Sequence, residues 1–283
     1  MRFHPWDVGP GHAARPSLVA LCVLGVSVGA LAQPPAPQFA QPGKDVVWVP
    51  SPLETIALML DLAEVTERDY VIDLGSGDGR TVIAAAQRGA TALGVEYNDD
   101  LVALSRQEAL RAGVATRARF VQGDMYEADV SKATVLALFL LPENLRKLSP
   151  TFLALRPGTR IVSNTFTIPG WTPARTIRRD DPCTAWCAVL LYVVPAQVGG
   201  TWAGGGETLA LVQEAQTVTG TWRAEDGTTT AVRDAVIEGD RLTFTVDATR
   251  YEGRVEGQRI AGERTSSDGT RTAWAVTRAT SGH

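Results

Sequence analysis

Three glycines alternate with other residues in the first third of the chain, directly after a short apolar segment. Gly75, Gly77 and Gly79 follow the apolar residues 71–74, and a helical pattern comes next. A strand that ends in a glycine-rich turn before a helix presents backbone N–H groups to a nucleotide-like ligand at close range. An acid stands two residues before the first glycine. We therefore predict a ligand-binding turn made of Asp73, Gly75, Ser76, Gly77 and Gly79.

Two further acids follow predicted strands downstream of this turn. Residues 91–96 have the pattern of a second strand, and Glu96 is its last residue. A carboxylate at this place can accept hydrogen bonds from both hydroxyls of a ribose. Asp124 and Met125 come after the third predicted strand, residues 118–122. The alternatives are that Glu96 is an ordinary surface acid and that Asp124 belongs to a plain turn.

A continuous apolar run at residues 135–141 is typical of a central strand that is buried on both faces. Pro142 and Asn144 lie just beyond it. In open α/β sheets, ligands bind beyond the carboxyl ends of the strands. Phe139, Pro142 and Asn144 are therefore predicted to position a second reactant beside the glycine turn.

A helix is predicted in front of the first strand. Ser51, Pro52 and Glu54 form an S-x-x-E pattern before apolar residues at positions 53, 56, 57 and 60. Ser51 is a suitable N-cap, Pro52 suits the first helical position, and Glu54 completes a capping box. The sequence therefore predicts an amphipathic helix that Ser51 caps.

Composition excludes several kinds of chemistry. The 283 residues carry a formal net charge of −4, which gives no basic footprint for nucleic acid. The histidines, His4, His12 and His283, lie outside the predicted core, so no histidine general base is expected. No metal site is predicted, because no other cysteine or histidine lies near Cys183 and Cys187. These two cysteines form either a disulfide in a turn or helix or a pair of unbonded core thiols.

The N-terminal residues 1–32 have the features of a secretory signal peptide. Arg2 and Arg15 precede an uncharged, mostly apolar run at residues 18–31, which ends in a small-residue cleavage site. We predict an exported protein, periplasmic or secreted. An uncleaved N-terminal anchor, which would keep the chain close to a membrane, is the alternative. Residues 33–44, rich in Pro, Ala and Gln, are predicted to be a linker.

From residue 201 the pattern changes to short β-type runs that alternate with glycine turns. Gly239-Asp240, Glu256-Gly257 and Asp268-Gly269 are hairpin signals. We predict an antiparallel barrel or sandwich at residues 201–280. Its large aromatic residues are predicted to form a core rather than a ligand-stacking surface; they are Trp202, Trp222, Phe244, Tyr251 and Trp274.

Together, these motifs resemble those of the class I, seven-strand S-adenosylmethionine-dependent methyltransferases. Residues 73–80 are similar to motif I of that family, whereas a dinucleotide-binding turn would have the spacing G-x-G-x-x-G. Gly94-Val95-Glu96, Gly123-Asp124 and residues 139–144 are similar to motifs of the subgroup that contains the mitochondrial protein-lysine methyltransferases. The resemblance extends over residues 45–195.

The resemblance implies a doubly wound, Rossmann-like α/β domain of seven strands at residues 45–196, followed by the small antiparallel all-β domain. It implies S-adenosyl-L-methionine as cofactor, with Glu96 at the ribose and Asp124 and Met125 at the adenine. The implied reaction is methyl transfer to a protein lysine. A small-molecule methyltransferase and an exported binding protein with a non-catalytic methyltransferase-like scaffold are the alternatives. The oligomeric state is not indicated.

An acceptor channel follows from the chemistry of lysine. The amine must be neutral to attack a methyl group, and desolvation in an apolar channel lowers its pKa from about 10.4. Aromatic residues near the predicted strand ends are candidates for the channel walls, although each could instead be a core residue. They are Trp48, Tyr126, Phe139, Phe166 and Trp171.

Overall fold

A computed structural model describes residues 48–179 and 186–279 of this chain. The predicted leader at residues 1–32, the predicted linker at residues 33–44 and Cys183 lie outside the described residues. Within those two ranges, none of the helices combines the length and the hydropathy that a bilayer span requires.

The first domain is a sheet of seven strands with helices on both faces. The strands are β1 (Tyr70–Leu74), β2 (Thr91–Glu96), β3 (Ala118–Gln122), β4 (Val135–Leu138), β5 (Arg160–Asn164), β6 (Arg175–Arg178) and β7 (Ala188–Val193). The described helices are α1 (Leu53–Leu62), α2 (Arg80–Gln87), α3 (Asp99–Arg111) and α4 (Pro142–Leu153). The strand order is β3-β2-β1-β4-β5-β7-β6. The predicted Rossmann-like class is confirmed.

Alternation along the strands divides the core into two layers. On β4, Val135 and Ala137 pack with residues of α1, α2 and α3, whereas Leu136 and Leu138 pack with residues of α4 on the other face. Both faces are therefore covered, and this explains why the sequence of β4 is apolar throughout. Because β1 pairs with β2 on one side and with β4 on the other, the strand order reverses at β1. Ligands of such sheets bind at that point.

The last two strands of the sheet run against the others. β7 pairs antiparallel with β5, and β6 pairs antiparallel with β7 at the edge. The apolar sequence of β7 predicts a strand, but β6 is short, mostly exposed and rich in arginine. Its strand conformation therefore comes from pairing with β7 and not from a pattern of its own.

The predicted capping box of the first helix is wrong. Helix α1 begins at Leu53 with Pro52 at the N-cap position, and no side-chain capping bond is present among the described residues. The Ser51 hydroxyl instead accepts a hydrogen bond from Nδ2 of Asn164, at 3.2 Å, in a buried contact at the end of β5. A contact with a residue far along the chain thus competes with the local cap.

A buried ion pair ties the amino ends of β1 and β5 together. Asp69 pairs with Arg160 and accepts hydrogen bonds from the Thr66 N–H at 2.8 Å and the Thr134 hydroxyl at 2.7 Å. Burial raises the pKa of Asp69, but the Thr66 and Thr134 hydrogen bonds and the charge of Arg160 outweigh it. They hold this pKa below its ordinary value. The cluster lies at the end of the sheet opposite to the glycine turn.

The second domain is a closed antiparallel barrel. Its strands are β8 (Gly200–Gly204), β9 (Glu207–Glu214), β10 (Thr217–Arg223), β11 (Thr229–Glu238), β12 (Arg241–Val246), β13 (Thr249–Glu256), β14 (Arg259–Thr265) and β15 (Arg271–Arg278). The sequence does not indicate β8, which closes the barrel by pairing with β9 and β15. All five aromatic residues predicted to form a core are buried, with Trp222, Phe244, Tyr251 and Trp274 in mutual contact.

Side chains of the barrel fix the segment that joins the domains. The amide of Gln213 accepts from the N–H of Val198 and donates to the carbonyl oxygens of Ala196 and Ala215, at 2.6, 2.9 and 2.8 Å. The guanidinium of Arg278 donates to further carbonyls of the same segment. The backbone groups of this connection are therefore satisfied by the barrel.

Candidate active site at the carboxyl ends of the strands

The glycine turn joins β1 to α2 where the strand order reverses. Gly75, Gly77 and Gly79 have φ values of 76°, 56° and 80°, a region that L side chains rarely adopt. The N–H groups of Gly75 and Ser76 both donate to the carbonyl oxygen of Val95, at 2.8 and 3.1 Å. Strand β2 therefore fixes the shape of the turn.

Two of the glycines are needed for different contacts. A Cβ atom at Gly77 would lie 2.4 Å from Nε1 of Trp48. A Cβ at Gly79 would lie 2.6 Å from the ring of Phe120 and 2.8 Å from Cβ of Ser105. Gly79 thus permits close packing of α2 on the sheet and on α3, whereas Gly77 permits close approach from the open side of the turn.

A cavity opens beside this turn, between the carboxyl ends of the strands and the segment before α1. Trp48 and Ser51 line it from that segment. Six of the residues that the sequence predicted for the site also line it: Asp73, Gly75, Ser76, Gly77, Glu96 and Phe139. The structure therefore brings the predicted turn, the predicted ribose acid and one predicted acceptor residue into one space.

The carboxylate of Glu96 holds the floor of the cavity. Oε2 accepts a hydrogen bond from the N–H of Gly77 at 2.8 Å, and Oε1 accepts one from the N–H of Asn98 at 2.9 Å. Each carboxylate oxygen can accept more than one hydrogen bond. Glu96 can therefore fix the turn and still accept from two hydroxyls of a ligand.

Asp73 is a buried carboxyl group in the wall of the cavity. Burial, and after it the charge of Glu96, raises the pKa of Asp73 to about 8, although the Thr81 hydroxyl acts in the opposite direction. The group is therefore mostly protonated near pH 7 in the free protein. A ligand that carries positive charge would favour its ionised form.

Arginine fixes the entrance segment to the turn. Nε and Nη2 of Arg80 donate to the carboxylate of Asp78, and Nη1 donates to the carbonyl oxygen of Ser51 at 3.0 Å. Together with the bond from Asn164 to the Ser51 hydroxyl, this holds Trp48 over the glycine turn. The N-terminal side of the cavity is thus built by contacts that no local pattern indicates.

Three aromatic rings form the apolar wall of the cavity. Phe139 follows β4 and stacks on Phe166, with ring centroids 6.0 Å apart and an interplanar angle of 14°. Trp186 meets Phe139 edge to face at 5.6 Å. All three rings line the cavity. Because they come from segments after β4, after β5 and before β7, the wall stands at the carboxyl edge of the parallel strands.

Four other predicted site residues lie outside the lining of this cavity. Asp124 accepts the N–H of Tyr126 at 3.0 Å, and Met125 is buried among core side chains. Pro142 is exposed in the first turn of α4. Asn144 is buried, and its Nδ2 donates to the Tyr126 hydroxyl at 2.7 Å. The roles assigned to these residues stay predictions.

Two of the predicted channel residues also lie elsewhere. Tyr126 contacts Asn144 and the ammonium of Lys147, which lies 3.4 Å from its ring centroid. Trp171 is buried against Tyr192, at a ring distance of 6.1 Å. Neither ring lines the cavity, whereas Trp48, Phe139 and Phe166 do.

Sequence reasoning missed Trp186 and Arg80. Trp186 precedes a strand whose antiparallel pairing no sequence pattern reveals, so nothing placed it beside Phe139. Arg80 could have been noticed as the residue that follows the last glycine of the turn. Among the described residues, no group of three or more His, Cys, Asp or Glu could hold a metal ion.

Comparison with known proteins identifies relatives of the first domain. The family model for the ANTKMT methyltransferase domain matches residues 73–175. A protein-lysine N-methyltransferase of Saccharolobus islandicus is 41% identical over 139 residues, which are 48% of this chain and 86% of that protein. An adenine nucleotide translocase lysine N-methyltransferase of Mus musculus is 38% identical and shares 44% of this chain and 61% of its own length.

Two further similarities differ in the acceptor that is named. A lysine N-methyltransferase of Mus musculus that is named for ATP synthase is 39% identical over 38% of this chain, which spans 44% of that protein. The crystal structure of an RNA methyltransferase from Salinibacter ruber, in complex with S-adenosyl-L-homocysteine, is 43% identical with a TM-score of 0.50. That likeness covers 53% of this chain and 96% of the Salinibacter chain.

Proposed function

We infer that this chain, which belongs to the family of class I S-adenosylmethionine-dependent protein-lysine methyltransferases, transfers a methyl group to the side-chain amine of a lysine in a protein. Membership follows from 41% identity over 86% of the archaeal relative. The chain is an S-adenosylmethionine-dependent methyltransferase. The observation that carries the choice of lysine is the wall of Phe139, Phe166 and Trp186 beside the glycine turn.

The residues around the turn fit S-adenosylmethionine. The hydroxyl of Ser76 is buried beside the turn and has no hydrogen-bond partner among the described residues. Asp73 offers a buried carboxyl group to a cation, and Glu96 retains acceptor capacity for a ribose. We assign cofactor contacts to Asp73, Gly75, Ser76, Gly77 and Glu96. When bound, the cofactor supplies an activated methyl group on a sulfonium, which the acceptor takes in one in-line displacement.

The aromatic wall provides what a lysine acceptor needs. An amine has to lose its proton before it can attack, and an apolar surrounding disfavours the charged form. The rings of Phe139, Phe166 and Trp186 exclude water from one side of the cavity without offering a negative charge that would hold the proton. Lysine can therefore enter as the neutral amine, and the site mainly has to align it.

Protein is the preferred acceptor class for two reasons. The curated relatives named above are lysine N-methyltransferases, two of them named for the proteins ATP synthase and adenine nucleotide translocase. The net charge of −4 also offers no general attraction for RNA, in spite of the name of the Salinibacter structure. We further propose that the chain acts outside the cytoplasm, as its predicted leader indicates.

Methyl transfer to separate fractions tests the acceptor class. The purified protein is incubated with methyl-labelled S-adenosylmethionine and with soluble proteins, membrane proteins, total RNA or a metabolite extract. We expect label in protein, and methyllysine after acid hydrolysis. Label confined to RNA or to metabolites, in a preparation that binds S-adenosylhomocysteine, would overturn the proposal.

Truncation of the aromatic wall tests the acceptor pocket. Phe139→Ala is expected to lower kcat/KM for the protein acceptor about 100-fold, because a misplaced acceptor loses alignment with the methyl group. The affinity for S-adenosylhomocysteine, measured by calorimetry, should change little. Tyr70→Leu, at the opposite end of the sheet, is the control. Equal losses in both variants would contradict the assignment.

Glu96→Gln tests the ribose role. The amide keeps one acceptor oxygen, but its NH2 group faces an N–H that the carboxylate had bound, so the turn loosens and one ribose hydroxyl loses its acceptor. We expect the affinity for S-adenosylhomocysteine to fall about 10- to 100-fold, since hydrogen bonds to charged groups contribute about 1.5–3 kcal/mol. The exposed Glu67→Gln serves as control, and unchanged binding in Glu96→Gln would exclude the role.

A further inference from the structure

We propose that Trp186 is an acceptor-contacting residue and that the disulfide of Cys187 positions it, so that turnover of the acceptor depends on the oxidised state of Cys187. This inference rests on the proposed function, because it concerns the acceptor side of the same cavity. Cys187 is disulfide-bonded, and its partner lies outside the described residues. Trp186 is the residue immediately before it.

The position of Trp186 needs outside support. Its φ is 56°, in the left-handed region that a bulky side chain adopts only when surrounding structure holds it there. The indole is half-buried, lines the cavity and meets Phe139 at a ring distance of 5.6 Å and an angle of 71°. This contact with Phe139 is modest, as expected for one aromatic pair.

The residues after Trp186 are anchored on one side by the sheet. The carbonyl oxygen of Cys187 accepts from the N–H of Arg179 at 2.9 Å, and that of Ala188 accepts from the N–H of Thr165 at 2.7 Å. A disulfide adds a covalent restraint at the place where Trp186 leaves the sheet. Without it, the strained backbone at Trp186 would be held by the aromatic contact and by the chain alone.

Reduction should therefore affect the acceptor and spare the cofactor. If the indole leaves the cavity, Phe139 and Phe166 face water on one side, and an incoming amine keeps its proton more easily. The proposed cofactor residues Asp73, Gly77 and Glu96 belong to β1, the glycine turn and β2, away from the β7 end. The two halves of the site can thus be separated by experiment.

The kinetic test uses the full chain before and after treatment with a thiol reductant, with the thiol state verified by mass spectrometry. We expect reduction to raise KM for the protein acceptor about tenfold, the equivalent of one lost aromatic contact. The Kd of S-adenosylhomocysteine should stay within about twofold. Trp186→Phe should retain most of the activity of the oxidised wild type. Unchanged acceptor kinetics in the fully reduced protein would overturn the proposal.

Two variants show whether the disulfide acts through Trp186. Cys187→Ser should behave like the reduced wild type and should no longer respond to reductant. Trp186→Ala should show the same loss while the disulfide is intact, and reduction should add little, since effects that share one contact are not additive. A further large loss on reducing Trp186→Ala would refute action through this residue. If Cys187→Ser does not fold, the reduced wild type supplies the same comparison.

Hydrogen exchange separates this inference from the proposed function. With S-adenosylhomocysteine bound, peptides that contain Phe139, Phe166 and Trp186 are followed in the oxidised and reduced protein. Faster exchange on reduction supports the positioning role even in a preparation that methylates no lysine, in which case the proposed function alone fails. Identical exchange in both states would overturn the positioning role whatever the activity.

Discussion

Asp73→Asn is expected to weaken binding of S-adenosylmethionine about 100-fold, because a hydrogen bond or contact to a charged group contributes up to about 3 kcal/mol. The carboxyl group lies in the cavity wall beside the glycine turn, where a cationic ligand would take advantage of its ionised form. Asparagine has nearly the same shape but cannot ionise. Calorimetric titration of both proteins measures the effect.

The exposed Asp129→Asn is the matched control for this substitution, since it removes the same charge away from the cavity. It should bind the cofactor as the wild type does. The affinity of the wild type should also rise with pH up to about 8 and then level off, whereas Asp73→Asn should show no such rise. Equal affinities for wild type and Asp73→Asn would remove Asp73 from the cofactor site.

The same variant should make the free protein more stable at neutral and alkaline pH. The pKa of Asp73 is raised to about 8 in the folded protein from 3.8. Between these values the folded state binds more protons than the unfolded state, so the free energy of unfolding falls as pH rises, by up to about 1.4 kcal/mol per pH unit. Asp73→Asn lacks this fall. Urea unfolding at pH 5, 7 and 9 compares the two proteins.

Asp69→Ala is expected to lower the free energy of unfolding of the first domain by about 3 kcal/mol, because it leaves the charge of a buried pair uncompensated. Asp69 is buried, and its loss leaves Arg160 and the Thr134 hydroxyl without their acceptor. At about 2–4 °C per kcal/mol, the melting temperature should fall by roughly 10 °C. Thermal unfolding followed by circular dichroism measures the shift.

Glu143→Ala is the control for that loss. Glu143 pairs with Arg146 at the surface of α4, where both side chains are more than half exposed, so its removal should change stability by less than about 1 kcal/mol. The contribution of Asp69 also has a pH signature. Since its folded pKa is lowered, the contribution is present above the unfolded pKa and is lost as pH falls below about 4. An Asp69→Ala protein as stable as wild type at pH 7 would contradict the argument.

The sequence predicts the cofactor half of the site well, for a local reason. The positive φ values of Gly75, Gly77 and Gly79 are a property of glycine itself, and the acid before them and Glu96 stand at the ends of strands whose apolar patterns are readable. Each of these features depends on a few neighbouring residues. The fold class follows from the same patterns, because continuous apolar strands between amphipathic helices favour a doubly wound sheet.

The acceptor half and the barrel depend on contacts between distant residues. Trp186 reaches Phe139 only because β7 folds back against β5, and Ser51 forgoes its predicted cap because Asn164 meets it across the domain. Strand β8 exists as a partner of β9 and β15.

The sequence by itself determined the fold class, the glycine turn and the ribose acid. The tertiary structure decided that a tryptophan beside a disulfide-bonded cysteine completes the aromatic wall, and that the second domain is a closed barrel. The physical reason is that backbone preference and hydrophobic periodicity act over a few residues. Strand order, antiparallel pairing and ring contacts are instead selected by packing of the whole domain.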